Sequence, residues 1–210
     1  MPGEGEQHMI TTIFSDVGGV LGTNGWDHDE RMAAIEQFGL EPEEFRSRHE
    51  LVADALDTGQ LTLDQYLDRA VFYRPRDFSR EAFRDFMFAQ SKPFPDTLEF
   101  MRRLAATGKY LVSSLNNESV ELNAHRIAVF GLRHIFKLFL SSCYLGVKKP
   151  DAAIYRLALK LTQQQPGDCV FIDDRALNLE CARQEGMHTL QYQSAAQLEG
   201  DLQGLGAKVD

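Results

Sequence analysis

Five short apolar segments rich in β-forming residues are the feature that most constrains the fold of this 210-residue chain. They lie at residues 9–15, 110–115, 137–143, 168–173 and 187–192. Each is about the length of a buried parallel strand. Helical patterns separate the later segments, which gives a βαβ order with right-handed crossovers. The sequence therefore predicts an α/β protein with a Rossmann-like, three-layer core around a parallel sheet.

The segment between the first two predicted strands, residues 24–92, contains helical patterns and no convincing strand. Its helices have readable ends, such as Gly39 after one apolar face and Thr62 at the start of a capping box. We therefore predict a helical cap over residues 24–92. The catalytic core is predicted to consist of residues 9–23 and 93–210.

Charge and composition exclude some classes of partner. The net charge is −9 with no block of basic residues, so nucleic acid is not a predicted partner. No apolar run approaches the roughly 20 residues that span a bilayer, so no membrane partner is predicted. The three cysteines (Cys143, Cys169 and Cys181) have no C-x-x-C spacing, which favours reduced thiols and a cytoplasmic location. Residues 1–8 are predicted to be disordered, and the oligomeric state is not predicted.

Polar residues follow four of the predicted strands where each strand ends. They are Asp16 after the first, Ser114 with Asn116 and Asn117 at the second, Lys149 after the third, and Asp173 and Asp174 at the fourth. In an open parallel sheet, ligands bind beyond the carboxyl ends of the strands, where strand order reverses. We therefore expect these side chains to meet at one site.

The residue types at this site are those that phosphoryl transfer needs. A carboxylate that attacks a phosphate dianion faces like-charge repulsion, which a divalent cation and a lysine relieve. Asp16 and Asp174 offer hard oxygen ligands for Mg²⁺, and Lys149 offers a point charge. The groups predicted to bind the phosphate are Ser114, Asn116 and the backbone N–H groups of Val17 and Gly18.

At these residues the sequence resembles the haloacid dehalogenase superfamily, in the branch whose cap lies between the first two motifs. The four motifs are matched in order by Asp16-Val17-Gly18-Gly19, by Ser114, by Lys149-Pro150, and by Asp173-Asp174 with Asn178. The resemblance covers residues 9 to about 192.

The resemblance implies aspartyl-phosphate chemistry on a small phosphorylated metabolite. Asp16 would be the nucleophile, and Ser114 and Lys149 would hold the phosphate. Mg²⁺ would be held by Asp16, the backbone carbonyl of Gly18 and Asp174, with Asp173 close by or acting through water. Asn178 would point back towards the site from the following helix.

One position departs from the family pattern. Many phosphatases of this family carry a second Asp two residues after the nucleophile, and here that residue is Gly18. Loss of a positioned acid/base removes about 10² to 10⁴ in rate. Three alternatives remain open: a slower phosphatase for good leaving groups, a metal-independent 2-haloacid dehalogenase, and a phosphate-binding protein without turnover. The acidic pair Asp173-Asp174 favours the first.

Several side chains of the predicted cap are candidates for contacting the substrate. Trp26 is the leading one, because it follows the glycine-containing loop nearest Asp16. The others are His28, Arg31, His49, Tyr66 and Tyr73. Aromatic residues at helical spacing more often serve packing.

Overall fold

The protein, described here by a computed structural model over residues 9–209, contains a five-stranded parallel sheet. The predicted disorder of residues 1–8 lies outside the described residues. The strands are β1 (Thr12–Ser15), β2 (Leu111–Asn116), β3 (Leu138–Ser141), β4 (Cys169–Asp173) and β5 (His188–Gln191). Each corresponds to one predicted segment, which confirms the predicted α/β fold. Only β2 runs one residue beyond its predicted end.

Ten α-helices accompany the sheet within residues 9–209. Four lie between β1 and β2, and we call them the helical insert: α1 (His28–Phe38), α2 (Pro42–Asp57), α3 (Leu63–Ala70) and α4 (Arg80–Ala89). The other six are α5 (Pro95–Ala106), α6 (Val120–Val129), α7 (Ser142–Leu145), α8 (Ala152–Thr162), α9 (Ala176–Gln184) and α10 (Ala195–Gly204). None of these helices is both long enough and apolar enough to cross a membrane.

Helices cover both faces of the sheet. Side chains alternate along each strand, so Ile13 points to one face and Phe14 to the other. The Ile13 face packs against apolar side chains of α5, α6 and α10. The Phe14 face packs against α8 and α9. This arrangement is the predicted three-layer core.

The helical insert has an apolar cluster of its own. The rings of Phe45, Tyr66 and Phe83 are buried there, and Leu122 of α6 joins this cluster from the core. The two segments that connect the insert to the core run side by side, since the Thr23 N–H donates to the Lys92 carbonyl oxygen at 2.9 Å. The separate cluster supports the predicted division of the chain, whose boundaries stay a prediction.

In the strand order β3-β2-β1-β4-β5, the side on which the chain adds new strands changes between β1 and β4. From β1 the chain builds the sheet outwards through β2 and β3, and β4 returns to the other side of β1. A crevice opens at the carboxyl ends of strands on either side of such a change. Asp16 and Asp173, at the ends of β1 and β4, therefore flank this crevice.

Candidate active site

A cleft of about 370 Å³ lies between the carboxyl edge of the sheet and the helical insert. Its walls include Asp16, Asn117 and Lys149 from the core and Trp26, Arg31 and His49 from the insert. Asp16 at the end of β1 and Lys149 after β3 therefore converge at this cleft, as the parallel topology requires.

Lys149 lies between two carboxylates at the bottom of the cleft. Its Nζ is 2.8 Å from Asp16 Oδ2 and 2.6 Å from Asp173 Oδ2, and all three residues are buried. Burial raises the pKa of Asp16 to about 7, and Lys149 opposes this shift. Burial acts to lower the pKa of Lys149, but the two carboxylates outweigh it and raise that pKa. The ammonium therefore stays charged and offsets part of the repulsion between the acids.

Asp173 is held by several donors. Besides Lys149, its carboxylate accepts from the Arg175 backbone N–H at 2.8 Å. The Asn178 amide donates to both of its oxygens, at 3.0 and 3.1 Å. Asn178 therefore points back towards the site, and its contact there is with Asp173. This network fixes the carboxylate that orients Lys149.

Asp174 completes an acidic group that suits a divalent cation. Carboxylate oxygens of Asp16, Asp173 and Asp174 lie within 4.8 Å of one another. Asp174 Oδ1 is buried and has no hydrogen-bond partner in the described part of the chain. A buried acceptor left unpaired is costly, and hard oxygen ligands are what Mg²⁺ binds. The donor set therefore fits the predicted metal ion.

Gly19 permits the close approach of Asp174 to the loop after β1. Its φ is +72°, and a Cβ on it would lie 2.3 Å from Oδ2 of Asp174. A side chain there would be strained by the backbone conformation and would displace the carboxylate. The backbone conformation and the nearby carboxylate therefore both require glycine at position 19, the second glycine of the first motif.

The structure does not bring Ser114 to the cleft. Ser114 pairs with Ser15 in the sheet and is fully buried, two residues before the end of β2. Asn116 is also buried, with its amide bonded to Ser141 and Asn123. The physical reason is the register: β2 continues to Asn116, so the residue that emerges at the edge of the sheet is Asn117.

Asn117 is one of the polar side chains expected at the strand ends, and the structure shows what it contacts there. Its side chain lines the cleft and bonds the backbone of Lys149 twice, donating to the carbonyl at 2.8 Å and accepting from the N–H at 2.9 Å. This pair of bonds fixes the loop that carries the lysine. The Val17 N–H likewise donates to Asp16 Oδ1 at 2.7 Å, which orients the carboxylate.

Two polar side chains adjoin the space where a side chain on Gly18 would lie. A Cβ built on Gly18 would be 3.1 Å from Asn24 Oδ1 and 3.3 Å from Arg126 Nη1. Arg126 is buried and also bonds Thr23 O at 2.9 Å and Ser91 Oγ at 3.2 Å. It therefore ties both connections of the insert to α6 and presents a guanidinium beside the loop of Asp16.

Glu118 is the buried acid that accompanies Arg126, with Oε2 at 3.5 Å from Nε. Burial raises the pKa of Glu118 from 4.5 to about 7, against the influence of Arg126. An acid whose folded pKa exceeds its unfolded pKa weakens the fold as pH rises between the two values. Between pH 4.5 and about 7, the unfolding free energy of the wild type should therefore fall relative to Glu118→Gln, by up to about 3 kcal/mol. Denaturant titrations across this range measure the difference.

The control for this pH effect is Glu180→Gln, because Glu180 is exposed on α9. This variant should follow the wild-type pH dependence. Equal slopes for wild type and Glu118→Gln would show that Glu118 ionises in the fold as freely as in the unfolded chain.

Trp26 lines the cleft, although only 9% of it is exposed. Its Nε1 donates to the Tyr66 hydroxyl at 3.0 Å, and its ring meets Phe83 edge to face. The predicted substrate contact would therefore use the exposed part of the ring. Tyr66 is fully buried, and neither His28 nor Tyr73 lines the cleft.

Ion pairs join the two walls of the cleft. Arg175 of the core pairs with Asp27 beside α1, and Lys148 pairs with Asp54 and Asp57 of α2. Lys148 lies next to Lys149, which is the lysine that fits the third motif. In the structure these pairs hold the insert over the cleft.

A family model for haloacid dehalogenase-like hydrolases matches residues 10–186. The chain belongs to this family. It is 28% identical over 162 residues to flavin mononucleotide hydrolase 1 of Arabidopsis thaliana, an alignment that covers 77% of this chain and 65% of that protein. It is 27% identical over 110 residues to glyceraldehyde 3-phosphate phosphatase of Methanopyrus kandleri, covering 52% of this chain and 47% of the relative. The chain thus spans less than two thirds of either relative's length.

Solved structures share the fold of this haloacid dehalogenase-like hydrolase. A family enzyme of Bacteroides thetaiotaomicron, in complex with magnesium and inorganic phosphate, has a TM-score of 0.73 at 18% identity, covering 88% of this chain and 94% of that one. An L-2-haloacid dehalogenase has a TM-score of 0.58 at 24% identity, covering 86% and 83%. Both kinds of relative have the same architecture, so the choice between their chemistries depends on the site.

Proposed function

We propose that the protein is a Mg²⁺-dependent phosphatase of a small phosphorylated metabolite. The observation that carries the proposal is the acidic group at the bottom of the cleft. Asp16 is paired to Lys149, and the buried Oδ1 of Asp174 beside it has no partner within residues 9–209. Halide displacement would not need this additional buried carboxylate oxygen, whereas a divalent cation would use it. The arrangement therefore favours the phosphatase over the dehalogenase.

In the proposed reaction, a carboxylate oxygen of Asp16 attacks phosphorus, and the P–O bond to the leaving group breaks. Water then attacks phosphorus, which releases inorganic phosphate and regenerates the carboxylate. Lys149 balances negative charge on the transferred group, and Asp173 and Asn117 keep the lysine in place. Asp16, Asp174 and the Gly18 carbonyl, with Asp173 nearby, would hold Mg²⁺, which would neutralise charge on the phosphoryl oxygens.

The leaving oxygen would receive no proton from residue 18, because glycine has no side chain to donate one. Without a positioned acid, the reaction favours leaving groups that depart as stable anions. We therefore propose acyl phosphates and anomeric sugar phosphates as the preferred substrate types. The helical insert would open for entry and close to exclude water, and the cytoplasm remains the predicted location.

The test is hydrolysis of p-nitrophenyl phosphate, whose leaving group needs little protonation. Turnover is expected with Mg²⁺ and should fall to background with EDTA, because the like charges at Asp16 and phosphate would be uncompensated. Readdition of Mg²⁺ to the EDTA-treated protein is the control for irreversible loss. Metal-independent release of chloride from 2-chloropropionate, without phosphate release, would overturn the proposal in favour of a dehalogenase.

The time course of the same reaction tests the role of Gly18. Water attack on phosphorus also lacks a general base from this position, so the second step should be slow. An early burst of p-nitrophenolate is expected, and intact-mass spectra during turnover should show a phosphorylated chain. A linear time course with no adduct would show that hydrolysis of the intermediate is not limiting.

A further inference from the structure

Arg31 is a cleft cation that lacks an acidic partner in the described part of the chain. The other basic side chains of the cleft form ion pairs: Arg126 with Glu118, Lys148 with Asp57, Lys149 with Asp16, and Arg175 with Asp27. Arg31 Nη1 donates to the backbone oxygen of Trp26 at 2.8 Å, and its guanidinium forms no ion pair with a described carboxylate, although its charge acts on Asp57 at longer range. The residue lies on α1, is half-buried and lines the cleft.

His49 lines the same wall from α2, and its neighbours fix the position of its proton. The Trp26 indole N–H can only donate, so it donates to the Tyr66 oxygen at 3.0 Å. Tyr66 is buried, and its hydroxyl lies 3.0 Å from His49 Nδ1. Among the described residues this buried hydroxyl has no other acceptor, so its proton is assigned to Nδ1, which leaves the ring proton on Nε2.

The environment of His49 also keeps the ring neutral. Burial, together with the positive charges of Arg31 and Lys148, lowers the pKa of His49 to about 4. The neutral ring with a proton on Nε2 is a hydrogen-bond donor beside the guanidinium of Arg31. This side of the cleft thus offers donors and a positive charge, while its two carboxylates, Asp27 and Asp57, are paired with Arg175 and Lys148.

The same two residues separate the cleft from a second cavity. This cavity, of about 550 Å³, opens between α1 and α2 and shares Arg31, His49 and Ala53 with the cleft. A leaving group that extends from a phosphate at Asp16 towards the insert would meet these side chains before reaching the second cavity.

We propose that Arg31 and the Nε2–H of His49 form a subsite for a second anionic group, a carboxylate, on the leaving group of the substrate. This inference rests on the proposed function, because the phosphate bound at Asp16 defines the other end of the ligand. It narrows the substrate class to phosphate esters or anhydrides whose organic part carries a carboxylate. A charge-assisted hydrogen bond at this site would strengthen binding, and removal of its partner would leave Arg31 uncompensated.

The test uses phosphonates that the protein cannot hydrolyse. Affinities of phosphonoacetate, phosphonopropionate and phosphonobutyrate would be compared by calorimetry with those of ethyl-, propyl- and butylphosphonate, all with Mg²⁺. For one of the three chain lengths, the phosphonate that carries a carboxylate should bind about 10- to 100-fold more tightly than the alkylphosphonate of the same length. Arg31→Met should remove most of this preference, because only the neutral His49 donor would remain, and should weaken binding of the alkylphosphonate much less than binding of its carboxylate partner.

The matched control is Arg69→Met, which removes an exposed arginine of the insert outside the cleft and should keep the preference. Equal affinities for the two members of every pair in the wild type, or an undiminished preference in Arg31→Met, would overturn the subsite. Retained preference without turnover of any phosphate ester would support the subsite and reject the phosphatase. No binding of any phosphonate would reject both.

The hydrogen-bond relay has its own readout. ¹⁵N NMR of the His49 ring should show the Nε2–H tautomer over neutral pH, and Tyr66→Phe should shift the ring towards a mixture of tautomers. Tyr66→Phe should also weaken the carboxylate preference without removing it, since Arg31 is unaffected. A wild-type ring protonated on Nδ1 would contradict the donor role of His49.

Discussion

Asp16→Asn is expected to lower the turnover of p-nitrophenyl phosphate by about 10⁴-fold or more. The amide has nearly the shape of the carboxylate but is a poor nucleophile, so no covalent intermediate should form. Steady-state kinetics measure the loss, and intact-mass spectra should show no phosphorylated chain in the variant. The effect should be on kcat much more than on KM, because Lys149 still balances the charge of the bound phosphate.

The fold should tolerate this substitution. Burial raises the pKa of Asp16 to about 7, so the ionised carboxylate is already disfavoured there, and a neutral side chain of similar volume relieves that cost. Asp57→Asn is the matched control, since Asp57 also lines the cleft but pairs with Lys148 away from Asp16. It should change turnover by less than about 10-fold. Residual activity of Asp16→Asn above about one hundredth of wild type would rule out covalent catalysis by this residue.

Most of the fold can be predicted from the sequence because its signals are local. A buried parallel strand needs a short apolar run, and each of the five strands has one. The topology then brings Asp16, Lys149 and Asp173 together without further information, since the carboxyl ends of parallel strands share one edge. The arrangement of these three residues is therefore implied by the order of strands and polar residues.

The position of Ser114 away from the cleft could not be predicted from the local sequence. The end of β2 is set by its ladder with β1 and β3, which continues to Asn116 opposite Ser141. A shift of two residues along a strand keeps a side chain on the same face but moves it away from the edge. The sequence has serine and asparagine at neighbouring positions, so nothing in it identifies Asn117 as the residue that fixes the backbone of Lys149.

No sequence pattern identifies Arg126 of α6 as a residue beside the site, and none separates Arg31 from the other candidates of the insert. Arg126 belongs to a helix whose apolar periodicity gives no reason to bury an arginine, and its partners Thr23 and Ser91 are far away in the chain. Likewise, the absence of an acidic partner for Arg31 within residues 9–209 is a property of the packed structure. Such features depend on contacts between the insert and the core, which no local signal encodes.

Lys149→Met is expected to lower both activity and stability. Removal of the ammonium leaves two buried carboxylates, Asp16 and Asp173, without their shared cation. Loss of one partner from a buried ion pair costs about 3 to 5 kcal/mol of unfolding free energy. Turnover should fall about 10³-fold or more, because charge on the transferred phosphoryl group would lose its fixed counterion. Denaturant titrations with EDTA present measure the stability loss without compensation by a divalent cation.

The pH dependence separates this electrostatic effect from lost packing. Without Lys149, the folded pKa of Asp16 should rise further above its unfolded value of 3.8, because Lys149 lowers it in the wild type. An acid with a raised folded pKa destabilises the fold above the unfolded pKa, so the deficit should be largest at about pH 8. It should shrink as pH falls and the carboxylate takes up a proton.

Lys148→Met is the matched control for Lys149→Met, since the neighbouring lysine makes its ion pairs with Asp54 and Asp57 at a partly exposed position. This variant should lose about 1 kcal/mol or less, with little change in turnover of p-nitrophenyl phosphate. A deficit in Lys149→Met that stays constant between about pH 5 and about pH 8 would indicate lost packing alone. A deficit that grows with pH, in Lys149→Met and not in Lys148→Met, would show that the ammonium stabilises the ionised form of the buried Asp16.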